Sequence, residues 1–211
     1  MTAAWLLPIV APVVAAASGG VVANALTNDQ HALITVVVCY IMWGSAVPFA
    51  MVIIVIYFQR LALHKIVPSA VIVSTLLPVG PLGQGGFGIM QLGIVARRVF
   101  PATGVLSQLS GEIFYSVGVF VALIMWGFGL VWLWFAAASF ARGPFPFNLG
   151  WWAFTFPIGV FTTACLLFGQ EFDSVVFKII GTILSVCVTL LWLMVFCFTI
   201  WKSITKELFK L

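Results

Sequence analysis

Charge is what this sequence has least of. Nine Lys and Arg with five Asp and Glu make up 7% of 211 residues, where soluble domains average about 25%. Fourteen ionic groups cannot coat a water-soluble globule of this size, which excludes a cytosolic enzyme, a nucleic-acid binder and a disordered tail. Paired cysteine chemistry is missing too. Cys39, Cys165, Cys187 and Cys197 lie inside apolar runs with no C-x-x-C spacing and no histidine partner, so they read as packing residues rather than as a disulfide framework or a zinc site. There is no Ser/His/Asp or Cys/His set, no metal cluster and no phosphate loop, so neither catalysis nor a cofactor is expected. His31 and His64 sit at the edges of apolar runs and read as solvated.

Apolar residues fill the space that charge leaves. They form 64% of the chain, and the mean hydropathy is +1.24. Six runs, 3–26, 32–58, 66–96, 113–141, 149–168 and 179–201, reach the length of about 20 residues that crosses a hydrocarbon core. They predict an all-α polytopic membrane bundle of six transmembrane helices in three hairpins. Strands of a membrane barrel would be shorter and would alternate polar with apolar residues; no run does. Residues 1–201 are read as the transmembrane domain and 202–211 as a basic cytoplasmic tail near anionic lipid. Trp5, Trp151, Trp152 and Trp201 fall near crossing ends, where an aromatic belt is expected.

Orientation follows from Lys and Arg, which favour the cytoplasmic side. Six alternating crossings put Arg60, Lys65, Arg142, Lys202, Lys206 and Lys210 on one side. Arg97, Arg98 and Lys178 fall on the other, together with Asp29, Glu112, Glu171 and Asp173. Both termini are therefore expected in the cytoplasm. Glu112 reads as an interfacial residue near Arg97 or Arg98, with proton coupling as the alternative. The first run has no positive segment before it and is too long for a signal peptide. Met1 and Thr2 lead almost directly into Trp5-Leu-Leu-Pro8, so the chain is expected to be part of a longer one.

The six runs alternate in kind. The first holds Pro8 and Pro12; the third holds Pro78 and Pro81 with Gly80, Gly83, Gly85, Gly86 and Gly88; the fifth holds Pro157 and Gly159. The even runs are richer in aromatic and aliphatic residues, and among them only the second has a proline, Pro48. Pro8 to Pro78 is 70 residues and Pro78 to Pro157 is 79, so the pattern is a repeated hairpin of one broken and one smooth helix. Proline removes a backbone donor and glycine lets the backbone unwind, and polar backbone at membrane depth is tolerated only against protein or a water-filled cavity. The odd helices are thus expected to line a path while the even ones face lipid. For Pro8, Pro12 or Pro48 alone, the ordinary abundance of proline in membrane helices is explanation enough. The glycine-dense segment from Pro78 onward is read as pore or substrate contact.

No carboxylate falls mid-membrane, where cation pumps and proton relays place their acids. An anion path needs none. Backbone N–H groups at broken-helix ends carry partial positive charge, and hydroxyls and amides at Ser74, Thr75, Gln84, Gln91, Thr155, Thr162 and Thr163 can assist. Without a buried cation such binding is weak, which suits a permeant ion that must also leave.

Three motifs, Trp5-Leu-Leu-Pro-Ile-Val with Ala15-Ala-Ala-Ser-Gly19, Leu77-Pro-Val-Gly-Pro-Leu-Gly-Gln-Gly-Gly86 and Trp151-Trp-Ala-Phe-Thr-Phe-Pro157, occur in this order. Together they resemble the tellurite-resistance/dicarboxylate transporter family, and within it the fungal sulfite efflux branch. The resemblance implies ten helices in five hairpins, odd helices around the pore and even ones outside, a plan shared with plant slow-type anion channels. The six crossings here match the last three hairpins. It further implies export of sulfite across the fungal plasma membrane, without a cofactor or metal, by a homo-oligomer that is a trimer in relatives. C4-dicarboxylate (malate) transport by the same fold is one alternative. A membrane fragment that associates with a full-length partner is another.

In relatives an inner-helix phenylalanine plugs the pore. The matching helix here carries Phe154 and Phe156, of which Phe156, beside the proline, is favoured; both could instead be core aromatics. Pro8, Pro12, Ser74, Thr75, Pro78, Gly80, Pro81, Gly83, Gln84, Gly85, Gly86, Thr155, Pro157 and Thr162 complete the expected anion path.

Overall fold

Pro8, Pro78 and Pro157 each stand where a tight 3-10 segment gives way to an α-helix. The computed structural model describes residues 3–63 and 67–206; His64, Lys65 and Lys210 lie outside the described residues. Segments Ala3–Leu6, Ser69–Leu76 and Leu149–Phe154 are 3-10 helix and lead into α1 (Leu7–Ala25), α3 (Val79–Thr103) and α5 (Thr155–Glu171). The second member of each hairpin, α2 (Asp29–Leu63), α4 (Ser110–Phe140) and α6 (Val175–Ile204), has no such lead-in. Proline causes little loss there, because the N–H it lacks is one that a helix's first turn leaves unbonded and its fixed φ already suits that turn. Six of the helices, counted with their lead-ins, are long and apolar enough to cross a membrane, so the chain is the all-α membrane bundle that its runs predict.

The broken-and-smooth alternation sets depth in the bundle. Over their most apolar stretches, the first spans of the three hairpins are 39, 72 and 56% buried, and the second spans 33, 33 and 6%. The α3 span is the centre, packed against α1, α2, α4 and α5, whereas α6 packs on α5 and its lead-in. Burial is therefore greatest where proline and glycine concentrate.

One expectation is corrected. The glycine-dense stretch does not unwind: α3 is continuous from Val79 to Thr103. Its glycines serve close packing instead. A Cβ on Gly83 would stand 2.7 Å from the backbone N and Cα of Phe161 in α5, and one on Gly93 3.0 Å from the Cα of Tyr115 in α4. Without side chains at these points helices approach backbone to backbone, the association favoured where lipid supplies no hydrophobic drive.

The opposite end of the bundle, where α1, α3 and α5 finish, is tied by ion pairs. Arg98 reaches Asp29 at 3.3 Å, and Arg97 reaches Glu112 at 3.9 Å and lies 4.5 Å above the Tyr115 ring. Glu112 thus lies next to Arg97, in the first turn of α4. Tyr115 donates to Glu171 at 2.6 Å, and Lys178 pairs with Asp173. Asn28 caps α2 through its Oδ1, accepting from Gln30 and His31 N–H at 2.9 and 3.1 Å. Gly104, at φ +65°, ends α3 in the left-handed turn that glycine adopts without strain.

Candidate functional site

Where the three 3-10 segments meet the α-helices, the bundle opens into a cavity of about 740 Å³. Ala70, Val71 and Ser74 of the second lead-in line one wall. Asn148, Leu149, Gly150 and Trp152 of the third line another. A second cavity of about 490 Å³ continues along α1 past Val10, Ala11, Val14 and Ala15. The two share Leu7, Leu77, Phe156 and Pro157. Leu7, Leu77 and Phe156 are the residues immediately before Pro8, Pro78 and Pro157, so each hairpin contributes its pre-proline side chain to the junction.

Asn148 holds the mouth in shape. Its Nδ2 donates to the Ala70 carbonyl at 2.7 Å, while its Oδ1 accepts from Gly150 N–H at 2.8 Å. One amide thereby fixes the spacing between two lead-ins distant in sequence. The helix breaks themselves leave fewer free donors than their prolines suggest. Leu77 N–H is bonded to Ser74 O at 3.1 Å and Gly80 N–H to Leu77 O at 3.0 Å, because the 3-10 turn satisfies what the α-helix start leaves open. The walls are predominantly apolar, with Ser74 and Asn148 as their polar side chains.

Of the residues singled out from the sequence, Ser74, Phe156 and Pro157 come together here. Phe156 is 41% exposed, turned toward the cavity, and Phe154 is 9% exposed, with its ring 5.2 Å from Phe140 and 5.6 Å from Trp151. The geometry thus separates the two phenylalanines. Gly80 lies directly behind Phe156. Pro8 and Pro12 line a separate groove with Trp5, Ser45 and Phe49, between α1 and α2. Pro78, Pro81 and Gln84 are buried in the packing around α3. Gly85 meets Met125 and Val47, and Gly86 meets Ala122. The hydroxyls of Thr75, Thr155 and Thr162 are bonded to the carbonyls of Ile72, Trp152 and Ile158 at 2.8, 2.8 and 2.7 Å. Sequence reading did not single out Leu7, Leu77, Asn148 or the lining role of Trp152. The signal for the first two was present: Leu7-Pro8 and Leu77-Pro78 are the two Leu-Pro pairs of the sequence, one at the start of each of the first two hairpins.

The family model described as SLAC1, voltage-dependent anion channel, matches residues 1–200. The chain belongs to that family. It is the family of anion channels and tellurite-resistance/dicarboxylate transporters that the three motifs resemble, and the chain is a multi-pass membrane protein. The sulfite efflux pump SSU1 of Arthroderma otae is 73% identical over 210 residues, covering 100% of this chain and 56% of that protein. The protein of the same name in Trichophyton rubrum is 70% identical with the same coverage. The malic acid transport protein of Schizosaccharomyces pombe is 28% identical over 206 residues, covering 90% of this chain and 44% of that protein. The chain thus spans a little over half the length of the sulfite pumps it matches. No solved structure matches it.

Proposed function

We propose that this chain forms pore-bearing hairpins of a sulfite efflux pump in the plasma membrane, with both of its ends in the cytoplasm. The observation that carries the reading is 73% identity to a sulfite efflux pump across the whole chain. The cavity is consistent with it: an anion enters among the 3-10 lead-ins, meets Ser74 and Asn148, and passes the constriction of Leu7, Leu77 and Phe156. Phe156 is the gate in this reading, since an apolar ring at a narrow point excludes ions by filling volume and by dewetting. The described acids, Asp29, Glu112, Glu171 and Asp173, lie at helix ends away from this cavity, so none of them obstructs an anion there. Binding along apolar walls is weak and allows release. The homo-oligomer implied by the family belongs to the same reading, with the exposed apolar faces of α2 and α6 available to lipid or to other copies.

Malate transport is the second reading, supported by the 28% identity to the fission-yeast malic acid transport protein. The test is made with the complete protein in sulfite-sensitive fungal cells. Cells expressing it should accumulate less sulfite and survive higher sulfite than cells without it. Unchanged sulfite tolerance together with enhanced malate flux would move the assignment to the second reading.

A further inference from the structure

The polar side chains around the larger cavity direct their donors into the protein rather than into the opening. Ser74 Oγ donates to the Val71 carbonyl at 2.6 Å, and Asn148 Nδ2 donates to the Ala70 carbonyl at 2.7 Å. Trp152, in the same lining, sends its indole N–H outward to Thr199 Oγ1 of α6 at 3.2 Å. Among the side chains of this lining, the donor left over is the second amide hydrogen of Asn148. The direction of the indole N–H therefore bears on the anion directly, since turned inward it would add a donor to walls that are otherwise apolar.

Thr199 is arranged to hold that donor. Its own hydroxyl proton goes to the Val195 carbonyl one turn back, at 2.7 Å, which leaves the oxygen's lone pairs to accept from Trp152. The main chain of Trp152 is fixed from a different helix, because Thr155 Oγ1 of α5 donates to its carbonyl at 2.8 Å. Helix α6 is the least buried of the six spans and packs on α5 and the third lead-in. The Trp152–Thr199 hydrogen bond thus joins the outer helix to the wall of the cavity, and the side chain that makes it touches both.

We propose that Thr199 is a positioning residue of the anion path: it holds the Trp152 indole in the cavity wall with its N–H turned away, which keeps anion binding weak enough for release. This rests on the anion-path reading above. Thr199 does not touch the anion and acts through Trp152. Without the acceptor, the indole N–H is left unpaired in an apolar wall, which is costly, and the acceptor that a loaded cavity offers is the anion itself. A hydrogen bond to an ionised acceptor is stronger than one between neutral groups, so the freed indole would hold the anion and slow its departure.

The test uses the complete protein reconstituted in bilayers, with sulfite current per molecule recorded against sulfite concentration. Thr199→Val keeps the shape of the side chain and removes the acceptor. It should lower the half-saturating sulfite concentration by about threefold or more and lower the maximal current with it. Thr199→Ala removes the same acceptor and decides the matter if Thr199→Val does not fold; failure of both to fold would make Thr199 a structural residue and overturn the proposal. Thr199→Ser keeps the acceptor and should match wild type. Adding Trp152→Phe to Thr199→Val removes the freed donor and should restore the half-saturating concentration. A structural role alone predicts less folded protein and no tighter binding. An unchanged half-saturating concentration, a fall in maximal current alone, or tighter binding that survives Trp152→Phe would overturn the proposal. A wild-type protein without anion current would overturn the permeation reading and this proposal together, whereas conduction with an unchanged half-saturating concentration in Thr199→Val would overturn only the latter.

Discussion

The ring of Phe156 rests on Gly80: a Cβ built on Gly80 would stand 3.4 Å from Cε1 of Phe156. Helix α3 therefore supplies the floor against which the gate candidate of α5 lies. Gly80→Ala should fit at ordinary contact distance, leaving folding nearly unchanged while damping the ring and lowering current per molecule. Gly80→Leu should push the ring into the junction of the two cavities and nearly close it. Thermal stability and per-molecule current, measured on the same variants, separate these effects.

Gly83 makes the opposite prediction. Its neighbours are the backbone atoms of Phe161 at 2.7 Å, which cannot rotate away, so Gly83→Ala must part α3 from α5. A loss of about 1–3 kcal/mol is expected from such overpacking. Gly127→Ala, with nothing within 4 Å, should be neutral. Comparing the thermal unfolding of the two variants in detergent checks the contrast.

These two glycines show what the sequence can and cannot reveal. The six crossings and the pairing of a proline-bearing helix with a smooth one are legible, because apolar length and proline position act locally. Whether Gly83 lines water or meets a backbone depends on Phe161, almost eighty residues later, and no local pattern carries that. Phe156 and Phe154 look alike in sequence; they part only because the 3-10 turn ends between them, leaving Phe154 against Phe140 and turning Phe156 to the cavity. Pro8 and Pro12 line the groove between α1 and α2 for a similar reason, since the side of α1 they occupy is chosen by α2. Leu7 and Leu77 were readable in retrospect through their place before a repeated proline.

The turn between α5 and α6 should respond to acid. The hydrogen bond and charge of Lys178 hold the Asp173 carboxyl below its ordinary pKa. A depressed carboxyl contributes stability above its unfolded pKa and loses it as pH falls through the folded value, so the pair should persist at neutral pH and release only in strong acid. In an NMR titration, Lys178→Met should move the Asp173 midpoint upward; an unchanged midpoint would show that the pair does not form.

Orientation is checked by labelling from outside the cell, in a background lacking Cys187 and Cys197. A cysteine at Asn28 should react with a membrane-impermeant reagent, and one at Gly143, in the turn after α4, should not. The reverse pattern would invert the topology.

The central claim is that Phe156 closes an anion path, and current per molecule at the membrane tests it most directly. In the complete protein Phe156→Ala should raise sulfite current per molecule with little change in the preference among anions, because it opens volume without adding a binding group. Phe154→Ala should instead cost about 3–5 kcal/mol of packing and lower the amount of folded protein without raising current per molecule. A Phe156→Ala protein that reaches the membrane and conducts no more per molecule than wild type would contradict the account.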